Sequence, residues 1–165
     1  MKKIILATFL FSFSLINAQA FKGNGDVKGQ VGLDIQSGGT GIFVSSDFGI
    51  GENMSLGLTA NYLLSVNKDA LGNLPKFDDR IDLKARFNAN LGSVLQLDPK
   101  MDVYPGLDLG LRNFGGHIGI RYFFTDGFGI FGEAGVPLAK YDKTITGFDH
   151  LNNQFTLNIG ASFNL

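Results

Sequence analysis

Hydrophobic and polar positions alternate with a period of two along most of this chain. From His117 to Val136 it reads HIGIRYFFTDGFGIFGEAGV, with Ile118, Ile120, Tyr122 and Phe124 on one face and His117, Gly119, Arg121 and Phe123 on the other. After Thr125-Asp126-Gly127 the alternation resumes, and Phe128, Ile130, Gly132, Ala134 and Val136 oppose Gly129, Phe131, Glu133 and Gly135. Alternation on both sides of an Asp-Gly turn signals a β-hairpin. One of its faces carries no charge, while the other mixes glycine with single Arg, Glu and His residues.

The same pattern predicts further strands over 26–36, 41–50, 54–64, 80–92, 102–112 and 154–165. The stretch 80–92 is the most regular, with Ile81, Leu83, Ala85, Phe87, Ala89 and Leu91 alternating with Asp82, Lys84, Arg86, Asn88 and Asn90. Helical periodicity is absent after residue 20, so the chain reads as all-β. Most of the eight strands exceed the five or six residues usual in soluble sheets. They match the roughly nine to eleven that a tilted membrane strand needs. An even number of antiparallel strands closes with both termini at one side. If that side is periplasmic, 51–53, 93–101 and 125–127 are inner turns, and 37–40, 65–79, 113–116 and 139–153 are extracellular. Both long loops, 65–79 and 139–153, then face outward. The expected fold is an all-β, eight-stranded antiparallel up-and-down transmembrane β-barrel.

The rival fold is a soluble barrel of the lipocalin kind, with its apolar face inward and its charged face in water. A soluble exterior is rich in Lys and Glu. The polar face here is instead Gly, Ser, Thr and Asn with isolated charges of both signs, which suits the narrow interior of an eight-stranded barrel. Phe48, Tyr62, Tyr122, Phe124, Phe128 and Phe163 fall near strand ends on the apolar face, where an aromatic girdle belongs.

The N-terminus supports export. Lys2 and Lys3 precede an apolar run, Ile4 to Ile16, that is too short to span a bilayer, and Ala18-Gln19-Ala20 follows as a cleavage site. Residues 1–20 are therefore expected to be a cleaved signal peptide and 21–165 the barrel domain, placed in the outer membrane. Removing Lys2 and Lys3 from 14 basic residues leaves 12 against 15 acidic ones, a net charge of −3 without a basic patch. Nucleic acid is not an expected partner. The chain has no cysteine, which excludes disulfides and a lipid-modified N-terminal cysteine.

Candidate chemistry lies on the polar face. Folding the fourth and fifth strands about position 97 sets Asp82 opposite Arg112 and Arg86 opposite Asp108. Folding the fifth and sixth about 113–116 sets Asp108 opposite Arg121. The Asp-Gly hairpin sets Glu133 opposite Gly119, diagonal to Arg121 and His117. Charges in a narrow lumen must be paired, so Asp82, Arg86, Asp108, Arg112, Arg121 and Glu133 are expected to form an ion-pair network that plugs it. The alternative is a narrow porin-like path for ions or small solutes. An envelope lipid-modifying enzyme is a minor alternative, because His117 and His150 have no triad spacing around them. No cofactor motif or metal-ligand spacing appears.

In this pattern the chain resembles small outer-membrane β-barrel proteins of the opacity and outer-membrane-protein-A transmembrane-domain type. The segments that carry the likeness are GIRYFFTDGFGIFGEAG at 119–135 and FTLNIGASFNL at 155–165. The resemblance implies outer-membrane lipid as the surrounding solvent. It also implies that the final strand, 154–165, addresses the assembly machinery. That strand usually ends in an aromatic residue; here Leu165 is last and Phe163 lies two positions earlier. The expected role is structural or a surface interaction, carried by the outer loops toward a ligand that the sequence does not name.

Overall fold

The computed structural model describes residues 19–69, 71–142 and 147–165, so the expected signal segment up to residue 18 lies outside it. The alternating stretches form eight strands: β1 (Val27–Gln36), β2 (Gly39–Gly49), β3 (Met54–Val66), β4 (Ile81–Ala89), β5 (Met101–Gly110), β6 (Asn113–Phe123), β7 (Phe128–Lys140) and β8 (Thr156–Asn164). Each pairs antiparallel with the next, and β8 pairs with β1, which closes the barrel. Among the described residues one short helix, α1 (Phe77–Arg80), precedes β4.

The faces point as the membrane reading requires. Leu58 and Leu109 on the outer surface are 65% and 61% exposed, whereas inward-facing Asp34 and Arg86 are 0% and 2% exposed. A water-soluble protein shows the reverse order. The lipocalin-like alternative, with apolar side chains inside, is thereby excluded. Closure also leaves no free sheet edge, because every strand has a hydrogen-bonded neighbour on each side.

Several boundaries differ from the sequence reading. Glycine at 38–39 and at 115–116 looks like turn chemistry, yet Gly39 and Gly115-Gly116 lie within strands. The β1–β2 connection is only Ser37-Gly38, with Gly38 at φ 77°, a conformation suited to glycine in a two-residue hairpin. The β5–β6 connection is only Leu111-Arg112. β7 runs on to Lys140, past the Val136 at which its alternation was expected to end. The β4–β5 ladder stops at Asn88↔Gly106, where Pro105 follows and has no N–H with which to continue it.

Aromatic rings form a row at the end of the barrel that carries both termini, here called the inner mouth. Tyr122 and Phe124 are 5.4 Å apart, Phe124 and Phe128 6.3 Å, and Phe128 and Phe163 5.7 Å. At the opposite, outer mouth Tyr62 meets Phe77 of α1 at 5.5 Å.

Candidate functional site: the filled lumen

Alternation delivers the charged residues to the lumen, and their partners there follow from register. Arg86 of β4 occupies the centre, with its side chain fully buried. Its Nη2 donates to Glu133 Oε2 of β7 at 2.5 Å, and its Nε lies 3.4 Å from Asp47 Oδ1 of β2. Its Nη2 also lies 2.9 Å from His117 Nε2, and the imidazole Nδ1 is 3.0 Å from Asp108 Oδ2. Asn88 holds the lower edge, accepting from Arg86 Nε at 3.3 Å and donating to Ser55 Oγ at 3.1 Å. Two cations flank one ring: the guanidinium carbons of Arg86 and Arg121 lie 5.8 and 4.6 Å from the centre of Tyr104. Tyr104 OH in turn accepts from Gln30.

Two glycines make this packing possible. A methyl group at Gly119 would overlap the Tyr104 ring, and one at Gly106 would overlap the His117 imidazole. The glycines on the polar face therefore hold space open for large inward side chains.

Below this layer Arg121 Nη2 donates to Asp102 Oδ2 at 2.8 Å and to Asn90 Oδ1 at 2.5 Å. Lys28 and Asp26 form a second buried pair at 2.5 Å. The inner mouth is closed by Phe123 against Ala20, whose amide donates to Pro99 O at 2.7 Å, while Phe21 stacks 5.9 Å from Arg121. The outer mouth is closed by Leu151, Asn152 and Asn153, all buried. Asn152 has φ 58° and exchanges two hydrogen bonds with Gln36: its N–H donates to Gln36 Oε1 at 2.8 Å, and its Oδ1 accepts from Gln36 Nε2 at 3.0 Å. Asn113 Nδ2 donates to Asn152 O and Asn153 Oδ1. Among the described residues, buried side chains thus occupy the lumen at its centre and at both mouths.

The six residues singled out in the sequence are placed as follows. Arg86 stands opposite Asp108, and Glu133 opposite Gly119, in the registers inferred for those hairpins. Asp82 is buried in the lumen, but its ion pair is with Lys84 at 3.4 Å. Arg112 is not in the lumen: β5 ends at Gly110, and Arg112 leaves in the turn to donate to Asp78 O at 2.5 Å. The inferred β5–β6 register is also wrong, because the turn is 111–112 instead of 113–116. Asp108 therefore stands opposite Gly115, and Arg121 opposite Asp102. Glu133 pairs with Arg86 across the lumen, not with Arg121. Asp47, Asp102 and Tyr104 were missed as partners, although each lies on the polar phase of its strand.

The arrangement defines a class: a closed eight-stranded barrel, apolar outside and ion-paired inside, with the fold of transmembrane β-barrels. A chain from the de novo design of transmembrane β-barrels has the same fold at 9% identity and a TM-score of 0.57, covering 87% of this chain and 98% of that one. The outer membrane protein G of Pseudomonas aeruginosa aligns at 11% identity and a TM-score of 0.47, covering 88% of this chain and 99% of that one. No curated protein matches the sequence. The chain belongs to DUF6646, a family of unknown function whose model matches residues 11–165.

Proposed function

We propose that the protein is an integral outer-membrane β-barrel whose lumen is plugged by its own side chains, with a structural or surface-interaction role carried by its outer loops. Residues 1–20 direct export; cleavage after Ala20 removes the Ala20 contacts with Phe123 and Pro99 and leaves Phe21, 5.9 Å from Arg121, as the first residue at the inner mouth. The final strand serves assembly, as the likeness to the opacity and outer-membrane-protein-A type suggests. The apolar outer surface supports residence in lipid, because leaving that surface in water would forfeit its transfer free energy.

The observation that carries the plug is the central pair, Arg86 with Glu133, buried in the lumen beneath the outer-mouth seal of Leu151, Asn152 and Asn153. A hydrated ion needs a continuous polar path, and here Phe43, Tyr104 and Phe131 occupy the lumen together with these charges. His117 is held by Asp108, Arg86 and Asn88 within the plug, so this reading gives it a structural task instead of a catalytic one.

Planar-bilayer recording of the refolded protein tests the proposal. A sealed lumen predicts no steady unitary conductance in the wild type. Steady openings that persist without any substitution would favour the narrow-pore reading and remove the plug.

A further inference from the structure

We propose that α1 and the turn before it form an anchor in the headgroup layer of the outer leaflet, with Phe77 and Leu74 as the side chains that enter lipid. The proposal rests on the membrane reading above. It also narrows the surface role, because this part of the 65–79 loop is then turned to lipid instead of to the medium.

The wall beneath α1 sets the level. On β3 the outward phase runs Met54, Leu56, Leu58, Ala60, Tyr62 and Leu64, without a charge. The ten residue steps from Met54 to Leu64, at about 3.3 Å each and inclined by about 40°, rise about 25 Å, the height of a lipid-facing apolar band. The outer limit of that band therefore falls at Tyr62 and Leu64. Tyr62 stands level with Ile42 of β2 and Ile81 of β4, both on the same outward phase.

Phe77 lies on this wall. Its ring is 5.5 Å from that of Tyr62, yet it stays 66% exposed, and Leu74 and Leu64 are 56% and 59% exposed. The backbone of α1 is held from the mouth side. Asn152, buried in the outer seal, donates through Nδ2 to Asp79 O at 3.3 Å and to Arg80 O at 3.4 Å. Arg112, absent from the lumen, reaches from the β5–β6 turn to Asp78 O and so acts as a second clamp. Within the segment, Lys76 N–H donates to Asp79 Oδ2 at 2.8 Å and Arg80 Nε to Pro75 O at 3.3 Å. Ile81 N–H closes onto Phe77 O. A ring on a loose loop folds back onto the protein; on a segment tied down in this way it stays out.

Leaving these apolar side chains in water forfeits their transfer free energy. Seated at the boundary of the band they regain it, while the backbone and charges of α1 remain among the headgroups, as in an interfacial segment. The charges decide the kind of attraction. Lys76 and Arg80 are matched by Asp78 and Asp79, so the segment has no net charge. The anchor is therefore apolar and indifferent to the sign of the headgroup.

The chain has no tryptophan, so Phe77→Trp and Leu58→Trp each give one local fluorophore. The full processed chain is refolded into phosphatidylcholine vesicles that carry a quencher either near the headgroup or at mid-chain. Iodide on both sides of the membrane serves as the aqueous quencher. Leu58, midway along the apolar run of β3, is the reference for depth. The expected result is quenching of Phe77→Trp chiefly by the shallow lipid label and little by iodide, and of Leu58→Trp chiefly by the deep label. If Phe77→Trp does not refold, Leu74→Trp carries the same test. Quenching of Phe77→Trp by iodide and not by lipid, with Leu58→Trp still quenched from mid-chain, overturns the anchor and leaves the barrel standing. Failure of both lipid labels to quench Leu58→Trp overturns the membrane reading and the anchor with it. Lipid quenching of Phe77→Trp that appears only when anionic phosphatidylglycerol is added overturns the apolar basis and assigns the contact to Lys76 and Arg80.

Discussion

Replacing Glu133 by Gln keeps the shape of the side chain and removes the charge that holds Arg86. The Arg86 side chain is fully buried, and Glu133 Oε2 is its closest carboxylate oxygen at 2.5 Å. Breaking a buried pair costs about 3–5 kcal/mol when the surviving charge has no other partner. Here Asp47 remains 3.4 Å from Arg86 Nε, so part of the field is retained and a loss of about 2–3 kcal/mol is expected. Arg86→Met should cost more, because it strands both Glu133 and Asp47. The double variant Arg86→Met with Glu133→Gln should fall short of the summed single effects by on the order of 1–3 kcal/mol. Arg121 provides the control. It is paired with Asp102 at 2.8 Å, so Arg121→Met and Glu133→Gln should add to within about 0.5 kcal/mol. The chain has no tryptophan, so urea unfolding in detergent is best followed by circular dichroism and by gel mobility. A neutral Glu133→Gln, or a stronger coupling of Glu133 to Arg121 than to Arg86, would refute the pairing.

Leu83→Arg and Ile120→Arg place a charge on the exposed apolar surface and should cost about 2–4 kcal/mol if the site is near the bilayer midplane. Thr59→Ala, on the lumen side, should cost under about 1 kcal/mol in the same unfolding assay; Asn88, with its bonds to Arg86 and Ser55, is not a mild site. Gly119→Ala should displace the Tyr104 ring and lower the unfolding midpoint, whereas Gly132→Ala, with no atom near its added methyl group, should be neutral or slightly stabilising. Equal effects at the two glycines would contradict the packing of Tyr104.

Strand faces were legible in the sequence because they depend only on the period of two. Lys28, Gln30 and Asp34, or Arg86 and Asn88, point inward whatever the neighbouring register is. Register itself needs the position of each turn, and there the signals competed. Asn113-Phe114-Gly115-Gly116 has turn composition, yet it pairs with both β5 and β7 and carries a register shift between Phe114 and Gly115. The turn is made instead by Leu111-Arg112, whose residues have no special turn preference. That displacement moved Arg121 from Asp108 to Asp102 and took Arg112 out of the lumen. The Asp-Gly hairpin and the 93–101 connection lie where their turn residues place them, and the pairings across them, Glu133 with Gly119 and Arg86 with Asp108, follow directly. The seal at the outer mouth had no periodic signal at all. Leu151 is held by a backbone bond to Phe148 O, and Asn152 by a positive φ and its bonds to Gln36 and Asn113, none of which a hydrophobicity pattern records.

The central claim is that the exposed apolar surface meets lipid and the charged surface meets itself. Fractionation of cells producing the protein, followed by gel electrophoresis with and without boiling, tests it most directly. The account predicts recovery in the outer membrane and a folded species that changes mobility on boiling, since a closed barrel without a free strand edge resists detergent at room temperature. Recovery in the soluble periplasm, with no change in mobility on boiling, would contradict it.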